Sequence, residues 1–218
     1  MVHYHINDFL VKSEYSALPV NRYNKIVRHY IEAFLHQQEN AKILDYGCGK
    51  LRNVYSFLPS HDITGIDSSY QITRTQKING EYTSLKELSE KFTKLKVFDT
   101  DHIKLINKKY DLILCNNVFS AIPFDTEIKK IVQFIKDHLA DTGQALISTQ
   151  FKNSYFDKYQ EKDNSYYYNN GWIITNNNKT SYYRIVSPSE LKGYVHNMDM
   201  KITSEKIDHG SIYLIIAI

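Results

Sequence analysis

The sequence predicts an α/β protein built on a doubly wound, seven-stranded, mostly parallel sheet with helices on both faces. Three observations predict it. Apolar strands alternate with amphipathic segments along the first two thirds of the chain, the pattern of parallel βα units. One strand runs straight into a glycine turn, Ile43-Leu44-Asp45-Tyr46-Gly47-Cys48-Gly49-Lys50. The next, Ile63-Thr64-Gly65-Ile66-Asp67, ends in a carboxylate where the strand edge of such a sheet carries its ligand.

The elements follow in order. Residues 1–20 are polar and aromatic and end near Pro19. From Asn21 onward Tyr23, Ile26, Val27, Tyr30, Ile31, Phe34 and Leu35 recur at three and four, which predicts a helix. The first core strand is Lys42–Tyr46. A helix from Lys50 with Val54, Phe57 and Leu58 inward is expected to stop at Pro59. The second strand is Asp62–Asp67, and Ser68-Ser69 caps a helix over Tyr70–Ile78. Leu85, Leu88 and Phe92 share one face of a helix over Ser84–Phe92. The third strand is Leu95–Phe98, closed by Asp99, and a short helix or turn spans Asp101–Asn107. The fourth, Tyr110–Cys115, is a continuous apolar run of the kind buried on both faces.

A long amphipathic helix covers Thr126–Leu139, and Asp141-Thr142-Gly143 turns it into a fifth strand, Gln144–Thr149. After a Tyr-rich stretch, Gly171–Thr175 and Ser181–Val186 read as a hairpin around residues 176–179. Ser187-Pro188-Ser189-Glu190 opens a helix with a cap, a first-turn proline and an acid at the capping-box offset. Met200–Ile207 and Ser211–Ile218 make a closing antiparallel hairpin. The expected organisation is a single domain over 1–218: a cap segment at 1–40, a core at 41–150, an insert or lid at 151–186, and a terminal helix and hairpin at 187–218.

Composition narrows the function. Net charge is +3 and evenly spread, so no phosphate-tracking polycation is written into the chain. The two cysteines, Cys48 and Cys115, have no C-x-x-C partner, which argues against a zinc knuckle and for free thiols in a reducing compartment. The first residues lack a basic segment followed by an apolar run. No apolar stretch is long enough to span a bilayer as a helix. A cytoplasmic protein without a membrane partner is expected. His3 and His5 share only the spacing of a metal pair, and no metal is expected.

The glycine turn points to a nucleoside cofactor. Glycines let a backbone turn approach a ligand with no Cβ in the way, and Asp67 offers two acceptor oxygens to two ribose hydroxyls. A dinucleotide fingerprint needs a small residue where Arg52 stands, and no P-loop is present. The run Asp45-x-Gly47-x-Gly49 instead resembles the first motif of class I S-adenosylmethionine-dependent methyltransferases, with Leu51 where a third glycine is common. The resemblance covers residues 40–150, and the closing hairpin adds to it.

The resemblance implies S-adenosylmethionine as cofactor, held by Asp45, Gly47, Cys48, Gly49, Asp67, Ser68, Asp99, Thr100 and Asn116. In it Asp45 orients the amino group, Asp67 binds the ribose, Asp99 accepts from the adenine amino group, and Asn116 flanks the methionine. The competing structural reading of Asp67 is a helix cap over Ser68-Ser69, and that of Asp99 a solvated turn residue. Asn116-Asn117-Val118-Phe119-Ser120-Ala121-Ile122-Pro123 resembles the family's motif after the fourth strand. Ser120 and Ala121 stand there in place of Glu and His, so no catalytic base is assigned, and no Pro-Pro follows the asparagines as in DNA-adenine enzymes.

Tyr4, Tyr15, Tyr23, Asn117, Phe119, Trp172 and Tyr183 are the candidates for an acceptor pocket, whose walls aromatic rings would make. Half-buried packing is the competing reading of those rings. The expected reaction is methyl transfer to a small molecule. The alternatives are an RNA or other macromolecule methyltransferase with the same core, and a non-catalytic S-adenosylmethionine-binding protein. A nucleic-acid acceptor is not favoured.

Overall fold

The computed structural model describes residues 3–13, 18–152, 154–176 and 179–218. In chain order its elements are β1 (His3–Ile6), β2 (Phe9–Lys12), α1 (Lys25–Gln37), β3 (Lys42–Tyr46), β4 (Asp62–Asp67), α2 (Ser69–Thr73), β5 (Gln76–Ile78), β6 (Glu81–Thr83), α3 (Leu85–Lys91), β7 (Leu95–Asp99) and β8 (Tyr110–Asn116). Then come α4 (Asp125–His138), β9 (Leu139–Gln150), α5 (Ser154–Gln160), β10 (Ser165–Tyr168), β11 (Gly171–Asn176), β12 (Lys179–Arg184), α6 (Pro188–His196), β13 (Lys201–Asp208) and β14 (Ser211–Ala217). Seven strands form the central sheet in the order β13-β14-β9-β8-β3-β4-β7. The β3–β4 and β4–β7 pairs are parallel, and the closing β13–β14 hairpin is antiparallel, as the sequence predicts. No described helix is long and apolar enough to cross a membrane.

The chain divides into two compact units, one over Ala17–Leu114 and one over Val2–Ser16 with Cys115–Ile218. In the first, Asn24 caps α1 by accepting from the N–H groups of Ile26 and Val27. Val27, Ile31, Phe34 and Leu35 form its buried stripe. After its exposed first residue β3 is buried throughout, as a central parallel strand must be. Ser84 and Glu87 form a reciprocal capping box at the start of α3, the helix that its apolar face predicts.

Two expected helices of this unit differ. No α-helix follows the glycine turn. Gly49 and Leu51 both take left-handed φ angles (55° and 61°), and the chain continues through turns into one 3-10 turn, Tyr55–Phe57. Val54 and Leu58 are buried as expected, whereas Phe57 is only half-buried. The helix expected over Tyr70–Ile78 ends at Thr73. Residues 76–83 form the β5–β6 hairpin, turning on Asn79 and Gly80, both at positive φ (46° and 95°). Asn-Gly is a strong signal for that turn, and the apolar spacing of Tyr70 and Ile78 masks it.

In the second unit, part of the polar and aromatic first segment forms the β1–β2 hairpin, turning at Asn7 (φ 51°). The fifth strand begins earlier than predicted. β9 runs unbroken from Leu139 to Gln150, so Asp141-Thr142-Gly143 is strand and not turn. The hairpin after it gains a third strand, giving the sheet β10-β11-β12, and β2 packs beside β12. The residues 177 and 178 of its expected turn lie outside the described residues. Ser187 caps α6 by accepting from Glu190 N–H at 3.2 Å.

Arg184, at the end of β12, is 2% exposed. Its guanidinium pairs with Asp125, the first residue of α4, and with Glu190, in the first turn of α6. It also donates to Tyr194 Oη at 3.3 Å. One buried cation thus ties the starts of two helices to a strand, and the two acids offset the cost of burying it.

Two stability predictions follow from these positions. Leu51 is 0% exposed, so truncating it costs core burial. Its left-handed backbone costs a residue with a Cβ roughly 1–2 kcal/mol relative to glycine. Leu51→Gly is therefore expected to be the more stable of the pair by roughly 1 kcal/mol over Leu51→Ala, in urea unfolding. The reverse order would refute strain at this position. Arg184→Ala is expected to cost about 3–5 kcal/mol, because it empties a buried ion pair. Asp125→Asn, whose side chain is 53% exposed, is expected to cost about 1 kcal/mol or less in the same assay.

Candidate functional site

The glycine turn is built from β3 and β4 together. At the end of β3 the chain turns through Gly47 (φ 70°) and Gly49 (φ 55°), left-handed conformations that favour glycine. Gly47 N–H and Cys48 N–H both donate to Ile66 O, at 2.8 and 3.0 Å. The turn then reaches Asp67, which closes β4. Asp67 Oδ2 accepts from Gly49 N–H at 2.8 Å, and Oδ1 accepts from Ser68 N–H at 2.7 Å. The helix cap is Ser68, whose Oγ accepts from Gln71 N–H at 3.2 Å.

Buried groups unmarked by any motif hold the same turn. Gln71, wholly buried, donates from Nε2 to Gly49 O at 2.5 Å and to Gln76 Oε1 at 3.1 Å. Gln76 returns a bond to Gln71 O at 3.1 Å. Nothing local in the sequence marks Gln71, because its partner lies 22 residues away. Gly65, inside β4, is a close-approach position. A Cβ there would meet Cys48 Sγ at 3.0 Å. Cys48 thus turns its side chain into the core, and burial pushes its thiol well above the usual range. Only its main chain contributes to the turn's outer surface.

Asp45 is 4% exposed. Burial pushes its carboxyl up to about 7, against the pull of the Arg52 charge and with a further push from Asp67. Asp99 pairs in register with Asp67 across β4 and β7. Its Oδ1 accepts from the N–H groups of Asp101 and His102, both at 3.1 Å, and lies 2.6 Å from His102 Nδ1. Thr100 N–H donates to Asp67 O at 3.0 Å. The Thr100 hydroxyl oxygen is buried with no hydrogen-bond partner among the described residues. Asp45, Gly47, Cys48, Gly49, Asp67, Ser68, Asp99 and Thr100 are therefore brought together in the first unit.

Asn116 and Asn117 end and follow β8 in the second unit. Asn116 Oδ1 accepts from Ser148 Oγ at 2.9 Å, and Asn117 N–H donates to Ser148 O at 2.8 Å. Asn117 is left-handed (φ 58°). Asn116 Nδ2 and Asn117 Oδ1 are buried without a partner among the described residues, so this strand end holds an unmet donor and an unmet acceptor.

The aromatic candidates divide. Tyr183 is half-buried, with its hydroxyl 3.4 Å from Gln150 Oε1 and within reach of Ser120. Burial pushes that phenol up to about 12. Phe156 and Tyr159 lie against both Trp172 and Tyr183, at centroid separations of 5.1–6.3 Å. Trp172 itself is buried, as are Tyr4, edge-on to Phe124 at 5.7 Å, and Phe119, edge-on to Tyr194 at 6.1 Å. Those three are packing residues in this structure. Tyr23 belongs to the first unit, stacked under Arg28. Tyr15 lies outside the described residues.

Comparison with known proteins gives the family. A family model described as a methyltransferase domain matches residues 20–205. YmfD of Escherichia coli K12, an uncharacterised protein, is 34% identical over 161 residues, covering 73% of this chain and 72% of its own. A solved S-adenosylmethionine-dependent methyltransferase from Clostridium acetobutylicum superposes with a TM-score of 0.61 at 15% identity, over 89% of this chain and 91% of its own. The Burkholderia thailandensis 1,6-didemethyltoxoflavin-N1-methyltransferase, solved with bound 1,6-didemethyltoxoflavin and S-adenosylhomocysteine, gives a TM-score of 0.55 at 15% identity, over 88% of this chain and 77% of its own. At such identities the likeness is one of fold. With the family model spanning most of the chain, the protein belongs to the methyltransferase domain family, an enzyme whose cofactor is S-adenosylmethionine.

Proposed function

We propose that this methyltransferase acts on a small molecule, in the cytoplasm, with its cofactor on the turn formed by Asp45, Gly47, Gly49, Asp67, Asp99 and Thr100. The donor set fits that cofactor. Two left-handed glycines open the turn, the Asp67 carboxylate lies against it, and the buried Thr100 hydroxyl has no partner among the described residues. Asp45 would face the methionine end, and Asp99 the adenine. Bound there, S-adenosylmethionine supplies a methyl group already activated by its sulfonium.

The acceptor reading rests on one observation: the unpaired Asn116 Nδ2 and Asn117 Oδ1 at the end of β8, in the unit that also carries the half-buried Tyr183 and its aromatic neighbours. A flat acceptor can be gripped at its edge by the amides and covered by rings. Alignment and exclusion of water then supply most of what methyl transfer requires. The two buried free thiols support the reducing location. The test is transfer of labelled methyl from S-adenosylmethionine into fractionated cell extract. Label is expected in the small-molecule fraction. Label confined to RNA or protein would overturn the proposal.

Asp67→Ala is expected to weaken S-adenosylhomocysteine binding by roughly 1–3 kcal/mol, the cost of buried hydroxyls left poorly paired. Circular dichroism should show the fold retained, since Asp67 stands at a strand end. Wild-type affinity by calorimetry would rule out the ribose role.

Asp45 gives two pH effects of opposite sign. Its folded value, about 7, lies above the unfolded value. The native state therefore holds an extra proton between about pH 4 and 7, and this stabilisation is lost as pH rises through that window. A bound ammonium group favours the carboxylate instead, so cofactor affinity should rise with pH towards and through about 7. Urea unfolding and calorimetry at pH 5.5 and 8 (roughly, to bracket that value) would show both trends, and Asp45→Asn should flatten each. A variant retaining the wild-type slopes would assign them to another group.

A further inference from the structure

The two oxygens of the Asp99 carboxylate are used very differently. Oδ1 accepts from the main-chain N–H groups of Asp101 and His102, each at 3.1 Å, and lies 2.6 Å from His102 Nδ1. Among the described residues Oδ2 accepts no hydrogen bond. An oxygen that accepts two main-chain N–H bonds carries no proton of its own, so the hydrogen of the third contact sits on the ring nitrogen. A neutral His102 is therefore the Nδ1–H tautomer. Its side chain is 64% exposed, so burial in the core does not explain its place.

The three bonds to Oδ1 are unequal. The main-chain pair is long, whereas the ring contact is short even for a charge-assisted bond. The terminal torsion of an aspartate is broad and two-fold, so a carboxylate held by two long bonds turns easily. The His102 ring supplies the contact that fixes it. With Oδ1 crowded by three donors, a further N–H donor has to come to Oδ2. Asp99 also stands in register with Asp67 across β4 and β7. Like charges facing each other across strands destabilise a sheet, and a third donor on Asp99 offsets that repulsion.

We propose that His102 is a positioning residue for cofactor recognition, which sets the Asp99 carboxylate so that Oδ2 alone meets the 6-amino group of adenine. This rests on the reading of Asp99 as the adenine acceptor given above. His102 itself touches no cofactor atom and acts through Asp99. The consequence is selectivity for the base. Adenine carries an N–H donor at its 6-position, whereas hypoxanthine carries an oxygen there. A fixed acceptor facing that oxygen leaves two acceptors with no hydrogen between them, and a site built to hydrogen-bond one group rejects the analogue that lacks it. A carboxylate able to turn away loses part of that discrimination.

Two measurements test the proposal. The first is the preference for S-adenosylhomocysteine over S-inosylhomocysteine, by calorimetry. The wild-type protein is expected to prefer the adenine compound roughly tenfold or more. Asp99→Ala should lose most of that preference. His102→Ala should lower it roughly threefold or more, while His102→Asn, which keeps a donor near the Nδ1 position, should stay within about twofold of wild type. Circular dichroism checks that each variant folds. The second is the nitrogen NMR signature of the neutral His102 ring in the wild-type protein, assigned by its loss from the His102→Asn spectrum. The hydrogen is expected on Nδ1. A ring protonated on Nε2, or exchanging between its two nitrogens, would overturn the proposal whatever the base does, and this measurement carries the test if His102→Ala does not fold. Full preference in Asp99→Ala, or none in the wild type, would remove the adenine reading of Asp99 and the role of His102 with it. Loss in Asp99→Ala with full preference in His102→Ala would leave the adenine reading standing and overturn the role of His102 alone.

Discussion

The first unit is organised around the carboxylate of Asp67. One oxygen holds the N–H of Gly49 and the other the N–H of Ser68, and the main-chain oxygen of the same residue accepts from Thr100. The glycine turn, the start of α2 and the exit from β7 therefore depend on a single residue. Hydrogen bonds to an ionised acceptor are stronger than neutral ones, and they also favour the charged form of the acceptor. Gln71 holds the turn from its other side through Gly49 O. Its amide and carbonyl both fixed, Gly49 is held in its left-handed conformation. A pre-shaped turn reduces the ordering cost of binding.

Carboxylates in neighbouring positions meet very different environments. Asp67 accepts two backbone N–H bonds, whereas Asp45 is buried and its carboxyl is pushed up to about 7. Arg184 in the second unit represents a third solution, a buried cation surrounded by two acids and a tyrosine hydroxyl. In each case the polar group is either paired within the fold or left ready to titrate or bind. Asn116 Nδ2, Asn117 Oδ1 and the Thr100 hydroxyl belong to the latter kind.

What the sequence revealed depended on distance along the chain. The alternation of strands and helices, the glycine turn and the acid at the end of β4 are local patterns, and the sheet formed as they predict. Ser84 and Glu87, three residues apart, are equally local, and their capping box forms. Gln71 and Arg184 were invisible because Gly49 and Asp125, which they bond, lie 22 and 59 residues away along the chain. The missing helix after the glycine turn has another cause. Leucine is a good helix former, and nothing in its side chain announces the left-handed backbone that Leu51 adopts. The β5–β6 hairpin was legible in Asn79-Gly80, but helical spacing upstream outweighed it. Aromatic candidates were the least decidable from sequence, since Trp172 and Tyr183 have similar apolar character and only packing makes one buried and the other half-buried.

The contact between Cys48 and Gly65 bears on how this chain can drift over evolutionary time. A Cβ at position 65 would come within 3.0 Å of the Cys48 sulfur, and within 3.5 Å of the Leu51 side chain. The three positions share one small volume beneath the glycine turn. A larger residue at 65 is tolerable only if 48 or 51 shrinks, and a bulkier residue at 48 demands that 65 remain glycine. Substitutions at these sites should therefore occur in compensating sets. Leu51, which occupies the space over a glycine strand, is itself one half of such an exchange, so the departure from the common third glycine and the glycine within β4 are two sides of one packing solution.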